Sequence, residues 1–133
     1  MREMRRAALL IAICLAAAAG SAAAAPSAAP IKVSLTAQSH HPVVGKTWWY
    51  QVKVTDAAGK PVAAKIHVQI LFGGQPVGQV GTHKVKTGLW REVIGKGGVD
   101  AFPAAARGQP LVFQAVVTEK GVTVKRNWPI VVR

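Results

Sequence analysis

Apolar and polar residues alternate with a period of two through most of this chain, from residue 31 onward. Such alternation places the apolar side chains on one face of a β-strand and the polar side chains on the other. The segments that show it are residues 31–37, 48–55, 65–72, 77–80, 85–94, 111–118 and 122–132. They predict about seven short strands, of which 77–80 is the weakest, with a bend or bulge at Gly88 inside the fifth.

Turn residues separate these segments along the chain. Glycine supplies positive φ angles, and Asp56 is placed to cap a turn that closes at Gly59. No stretch after the N-terminal segment shows helical periodicity, although residues 101–107 have room for one helical turn before Gly108. Because both faces of a sheet need cover, the pattern predicts an all-β fold, a single sandwich of antiparallel strands.

The N-terminal segment has the pattern of a cleavable secretory signal peptide. Three arginines within the first six residues precede an uncharged, apolar run over residues 7–19. That run is shorter than the roughly 20 residues that a helix needs to span a bilayer. The small residues that follow suit a signal peptidase, and we expect cleavage after Ala23 or Ala24.

This interpretation divides the chain into a signal-peptide helix (1–24), a flexible spacer rich in proline and alanine (25–30) and one folded domain (31–133). It predicts a secreted or extracytoplasmic protein, in the periplasm or cell envelope. Three alternatives stay open: lipoprotein processing at Cys14, twin-arginine export through Arg5 and Arg6, and an uncleaved membrane anchor.

Removal of the signal peptide changes what the composition implies. The whole chain has 17 basic residues, 5 acidic residues and a single cysteine, Cys14, which lies in the signal segment. The predicted mature chain loses three arginines and Glu3, so 14 basic and 4 acidic residues remain. It is therefore strongly basic and has no thiol for a disulfide, a thiolate metal site or nucleophilic catalysis.

Two turn motifs carry a resemblance to a known family. Residues 45–62 join an alternating strand, Trp-Trp-Tyr-Gln-Val-Lys-Val, to a V-x-D-x-x-G-x-P-V turn, and residues 119–122 form an E-x-G-V turn before the last strand. They resemble bacterial immunoglobulin-like domains, in particular the exported YtkA-like group and the invasin-type repeats. The likeness extends over most of residues 31–133. It implies an immunoglobulin-like sandwich of about seven strands and brings no catalytic residues with it.

The carboxylates offer little support for catalysis. Beyond the signal segment they are Asp56, Glu92, Asp100 and Glu119, and two of these lie in predicted turns. The chain has no G-x-S-x-G, no H-E-x-x-H and no P-loop motif. We therefore expect a protein that is not an enzyme and that uses no cofactor.

Two sets of side chains are candidates for binding. Imidazoles are good ligands for copper or zinc, so four histidines form a weak metal-binding set, which competes with the simpler interpretation of exposed surface histidines. Consecutive Trp48 and Trp49 face opposite sides of a strand, which leaves Trp49 partly exposed and able to stack on a sugar. The metal candidates are His40, His41, His67 and His83, and the ligand candidates are Trp49, Trp90, Lys53 and Lys65.

These observations predict an exported binding or structural module of the cell envelope. Its basic side chains recur at outward positions of the predicted strands, which favours anionic envelope polymers or glycans as partners. Alternatives are a metal-handling accessory that uses the histidines, and a subunit that pairs with another envelope protein through an exposed sheet edge. Nucleic acid is not an expected partner of an exported protein, and we expect membrane contact only through an uncleaved signal peptide.

Overall fold

A computed structural model describes residues 30–133, which form seven strands in two antiparallel sheets. The predicted signal peptide and all of the spacer except Pro30 lie outside the described residues. Among residues 30–133 there is no helix with the length and hydropathy needed to cross a membrane. The strands are β1 (Ile31–Ala37), β2 (Trp48–Asp56), β3 (Ala64–Phe72), β4 (Gln75–Val85), β5 (Leu89–Ile94), β6 (Pro110–Glu119) and β7 (Val122–Val131).

The sheets have three and four strands. The three-stranded sheet has the order β1-β2-β5, and the four-stranded sheet has the order β4-β3-β6-β7, with every neighbouring pair antiparallel. The inward side chains of both sheets form one buried cluster, so the architecture is a β-sandwich. The all-β prediction with about seven strands is confirmed.

Strand β4 differs from the sequence prediction. It is one strand of 11 residues, whereas the alternation predicts only a weak segment at 77–80 and a separate start at Val85. Gly78 and Gly81 carry no side chain, so they obscure the period of two within β4. The predicted bend at Gly88 is the turn between β4 and β5, while the irregular pairing lies between β3 and β4.

Aromatic contacts hold the centre of the core. The rings of Trp48 and Tyr50 on β2 lie 5.1 and 4.7 Å from the ring of Phe113 on β6. Phe102, from the connection that leads through a single 3₁₀ turn (Ala104–Ala106), packs edge-on to Trp48 at 5.7 Å. Offset and edge-on pairs of this kind add about 0.5–1.5 kcal/mol each to the burial of their apolar area.

One open side of the sandwich, between β1 and β7, is closed by polar contacts. Arg126 on β7 donates from Nε to the carbonyl of Val33 on β1 at 2.9 Å, which links the two sheets directly. Residues 40–44 then run beside the end of β7, where the N–H of Val131 donates to the carbonyl of His40 at 2.9 Å. The opposite side, between β4 and β5, is closed by a different network that contains two of the candidate site residues.

Substitution of Gly88 tests how the turn between β4 and β5, which connects the two sheets, packs against β2. It has φ of +72°, and a Cβ added there would lie 2.6 Å from the carbonyl oxygen of Val54. We expect Gly88→Ala to destabilise the fold by about 3 kcal/mol or more, because left-handed strain and overpacking add. Gly97→Ala is the matched control: Gly97 has φ of +67° with open space around it, so only about 1–2 kcal/mol of backbone strain applies. Urea unfolding of both variants measures the difference, and equal losses would contradict the assigned contact.

Candidate functional site

The outer surface of the four-stranded sheet collects basic and polar side chains. Strand alternation turns every second residue of β3, β4, β6 and β7 away from the core, and these positions carry little apolar area at the end near Lys65. We call this surface the basic face. It consists of Lys65, His67, Gln69, Thr82, Lys84, Gln114, Thr118, Thr123, Lys125 and Asn127.

None of the four carboxylates among residues 30–133 lies on the basic face. Asp56 caps its own turn, where Oδ1 accepts from the backbone N–H groups of Ala58 and Lys60, each at 2.9 Å. Glu92 faces inward on β5, Asp100 lies in a loop and Glu119 ends β6. Within the described chain the one contact at ion-pair distance joins Glu92 to His83, so no carboxylate there forms an ion pair with the lysines of the basic face. Glu119 lines a depression beside that face together with Lys65 and Lys84, without reaching ion-pair distance.

Two lysines of the basic face oppose each other directly. Lys65 on β3 and Lys84 on β4 are register partners across the antiparallel pair, and both are exposed. Like charges directly opposite on neighbouring strands are destabilising, because their Cβ atoms lie about 5 Å apart. Lys125 on β7 adds a third ammonium group one row further along the sheet. The arrangement concentrates positive charge at positions where that charge does not stabilise the fold.

A ladder of amides fixes the middle of the basic face. Gln69 donates from Nε2 to Oε1 of Gln114 at 2.8 Å, and Gln114 donates from Nε2 to Oδ1 of Asn127 at 2.9 Å. Gln114 is buried under its neighbours, and both ends of its amide are satisfied. The ladder therefore holds β3, β6 and β7 in register from the outside and keeps that part of the face rigid.

The outer surface of the three-stranded sheet contains the candidates Lys53 and Trp49. Lys53 is exposed, whereas the Trp49 ring is half-buried and lies under the guanidinium group of Arg91, whose Cζ is 4.3 Å from the ring centroid. This cation–π contact covers the outer face of the indole. A sugar ring that stacked on Trp49 would first have to displace Arg91.

Trp90 takes part in the network that closes the side of the sandwich between β4 and β5. It stacks on the His83 ring with centroids 3.8 Å apart and donates from Nε1 to the Tyr50 hydroxyl at 3.0 Å. Tyr50 donates in turn to Oε1 of Glu92 at 2.8 Å. We call these four residues the Tyr50 network. Its contacts engage both the ring and the N–H of Trp90, which gives Trp90 a structural role between the two sheets.

Burial in this network raises the pKa of Tyr50 far above its ordinary value of 10.0. The main cause is loss of hydration, and the hydrogen bond that the hydroxyl donates to Glu92 raises the pKa further, against a smaller opposite effect of Trp90. The phenol therefore stays protonated in the folded protein, as a donor to Glu92.

The four candidate histidines lie in three separate places. His67 is on the basic face, and His83 is in the Tyr50 network, where its Nε2 is buried without a hydrogen-bond partner. His40 and His41 lie beside the end of β7. Nδ1 of His40 is 2.6 Å from the carbonyl oxygen of Pro129, and the ring stacks on Trp128 at 4.2 Å. Residues 30–133 contain no group of three or more His, Cys, Asp or Glu side chains placed to hold a metal ion.

The comparisons with known proteins assign no residues to the site, so only its geometry defines it. No protein-family model matches the chain, and no curated protein matches it significantly. The structure places the candidate Lys65 beside Lys84 and brings Thr82 and Thr118 to the same surface. Lys84, Thr82 and Thr118 are not among the site candidates that the sequence predicts. Their outward position in alternating strands is the one sequence signal that could have suggested these residues. Which side chains lie next to them depends on strand pairing, which the sequence does not give.

The single tyrosine of the chain makes the Tyr50 network measurable. Because folding raises the pKa of Tyr50, the native protein should show no phenolate absorbance near 295 nm at pH values around 10, and the signal should appear only on unfolding. The unfolded chain releases the proton first, so stability is fully present below pH 10 and falls as the pH rises above it.

Two results check this expectation. Tyr50→Phe should abolish the absorbance change altogether, which assigns the signal to this residue. A native spectrum that titrates with a midpoint near pH 10, before any loss of folded structure, would contradict the buried hydrogen bond to Glu92.

Proposed function

We propose that the protein is an exported, non-enzymatic immunoglobulin-like module of the cell envelope that binds anionic envelope polymers or glycans through the basic face. The observation that carries this proposal is the distribution of charge. Lysines of β3, β4 and β7 share one sheet surface, and no carboxylate of the described chain forms an ion pair with them. The N-terminal pattern typical of a signal peptide supports an extracytoplasmic location.

The strand order supports an immunoglobulin-like domain. The first, second and fifth strands share one sheet, and the third, sixth and seventh share the other, which corresponds to strands A, B and E facing C, F and G of immunoglobulin domains. The fourth strand pairs with the third and widens the second sheet. This wider sheet is the one that carries the basic face.

Electrostatics favour a polymer over a small neutral ligand. Each exposed ammonium group contributes little alone, about 0.2–1 kcal/mol for a surface ion pair, so useful affinity requires several contacts at once. A repeating polyanion provides them along a sheet surface. Stacking of a neutral sugar lacks comparable support, because the rings of Trp49 and Trp90 already contact Arg91 and His83.

The other expected roles have less support from the geometry. The histidines do not converge, so a metal-handling accessory has no ligand set among residues 30–133. Pairing through a sheet edge is opposed at β7 by Lys125, Arg126 and Pro129, residues of the kind that discourage edge-to-edge association. Residues 40–44 also occupy the end of that edge.

Retention on a heparin matrix tests the proposed function. We expect the full-length protein to bind at low salt and to elute as ionic strength rises, because screening acts within about 10 Å at 0.1 M salt. Lys65→Gln with Lys125→Gln should weaken binding at low salt by about fivefold or more, on the basis of two lost surface contacts.

The matched control removes the same charge elsewhere. Lys46→Gln with Lys96→Gln changes two exposed lysines outside the strands, and it should reduce retention far less. Equal losses in the two double variants would mean that net charge alone causes binding, and retention that salt does not affect would contradict an electrostatic role.

A further inference from the structure

We propose that a depression on the basic face is a site for one phosphate monoester group, at the end or on a side group of an envelope polymer. It is lined by Lys65, His67, Thr82, Val116 and Thr118 and has a volume of about 290 Å³. This inference rests on the proposed function, which it narrows from anionic polymers in general to polymers that carry phosphate.

Strand pairing brings the donors of the site together. Lys65 on β3 has Lys84 as its partner on one side and Thr118 as its partner on the other, which forms one row across three strands. His67, two residues along β3, lies between Thr82 and Val116 and forms the next row. Neighbouring strands are about 4.8 Å apart and successive outward residues about 6.7 Å apart. The polar groups of the two rows therefore border one shallow depression that is large enough for a small oxyanion.

His67 and Thr82 together supply one hydrogen-bond donor in either neutral tautomer. Nδ1 of His67 and Oγ1 of Thr82 are 2.7 Å apart. If Nδ1 donates, the threonine O–H is free to donate elsewhere; if the threonine O–H donates, the proton on Nε2 is free. The pair thus complements the ammonium group of Lys65 and the hydroxyl of Thr118, which line the same depression, and no carboxylate lines it. Lys84, the register partner of Lys65, lines the adjoining depression together with Glu119.

The charge and shape of the site favour phosphate over carboxylate. A phosphate monoester carries a charge of about −1.5 to −2 at pH 7 and three strongly accepting oxygens, whereas a carboxylate carries one charge and two oxygens in a plane. Donors from three strands approach the depression from opposite sides, which suits a tetrahedral group. A dianion bound in the depression beside Lys65 also reduces the repulsion between Lys65 and its register partner Lys84.

If phosphate reduces the repulsion between Lys65 and Lys84, the Lys84→Gln substitution should affect thermal stability differently without and with phosphate. Lys84→Gln removes the like-charge pair, so without phosphate the variant should melt at the same temperature as the wild type or higher. With phosphate present, it should gain less thermal stabilisation than the wild type, because a ligand that binds the folded state stabilises it more when its affinity is higher. A variant that melts lower without ligand and gains equally with it would overturn the assignment.

Calorimetric titration of the full-length protein with inorganic phosphate tests the site itself. We expect saturable binding that Lys65→Gln with Lys84→Gln weakens at least tenfold. Lys32→Gln with Lys53→Gln, which removes two exposed lysines from the opposite sheet, should change the affinity less than twofold. Acetate at the same ionic strength should not compete, while sulfate should compete weakly. Equal weakening in both double variants, or equal competition by acetate, would overturn the inference.

Three probes distinguish the source of the phosphate. Long-chain polyphosphate should bind more tightly than inorganic phosphate and lose this advantage in the Lys65→Gln, Lys84→Gln variant. Vesicles of phosphatidylglycerol that bind more tightly than polyphosphate would overturn the assignment to a polymer in favour of a lipid surface. If heparin retention persists but phosphate does not bind, the site fails while the proposed function stands; if phosphate binds but no polymer is retained, the proposed function fails.

Discussion

Burial of the inward face of β2 against the four-stranded sheet is the interaction on which the rest of the structure depends. Trp48, Tyr50, Val52 and Val54 are all buried within the sandwich, and the aromatic pair contacts Phe113 across it. Apolar burial of this kind stabilises a fold by roughly 25 cal/mol per Å². It also fixes which side of each strand faces water, so the same alternation that builds the core places the lysines outside.

The two lateral sides of the sandwich are closed by polar side chains, and this decides which candidates remain available for ligands. Arg126 bonds to the backbone of β1 on one side, and the Tyr50 network joins β4 to β5 on the other. Trp90 and His83 are used inside that network, and Arg91 covers Trp49. The aromatic candidates and His83 thus contribute to architecture, while the lysines of the basic face remain exposed and outside any ion pair.

The period of two was sufficient to predict most of the strands, because apolar residues occupy nearly every second position of β1, β2, β3, β6 and β7. It failed at β4, where Gly78 and Gly81 remove side chains from the pattern. The alternation could not predict that Lys65 and Lys84 lie opposite each other. Two shifts of register between β3 and β4 change which residues pair, and the alternation does not show these shifts. The part of the site that depends on strand pairing therefore required the fold.

The most direct measurement of the central claim is a titration of the ¹⁵N-labelled protein with polyphosphate, followed by amide chemical shifts. Binding through the basic face predicts that the largest changes cluster at Lys65, His67, Thr82, Lys84 and Thr118, and that they disappear at high salt. Changes of equal size on the outer surface of the three-stranded sheet, or changes confined to the apolar end near Phe72 and Phe102, would contradict it.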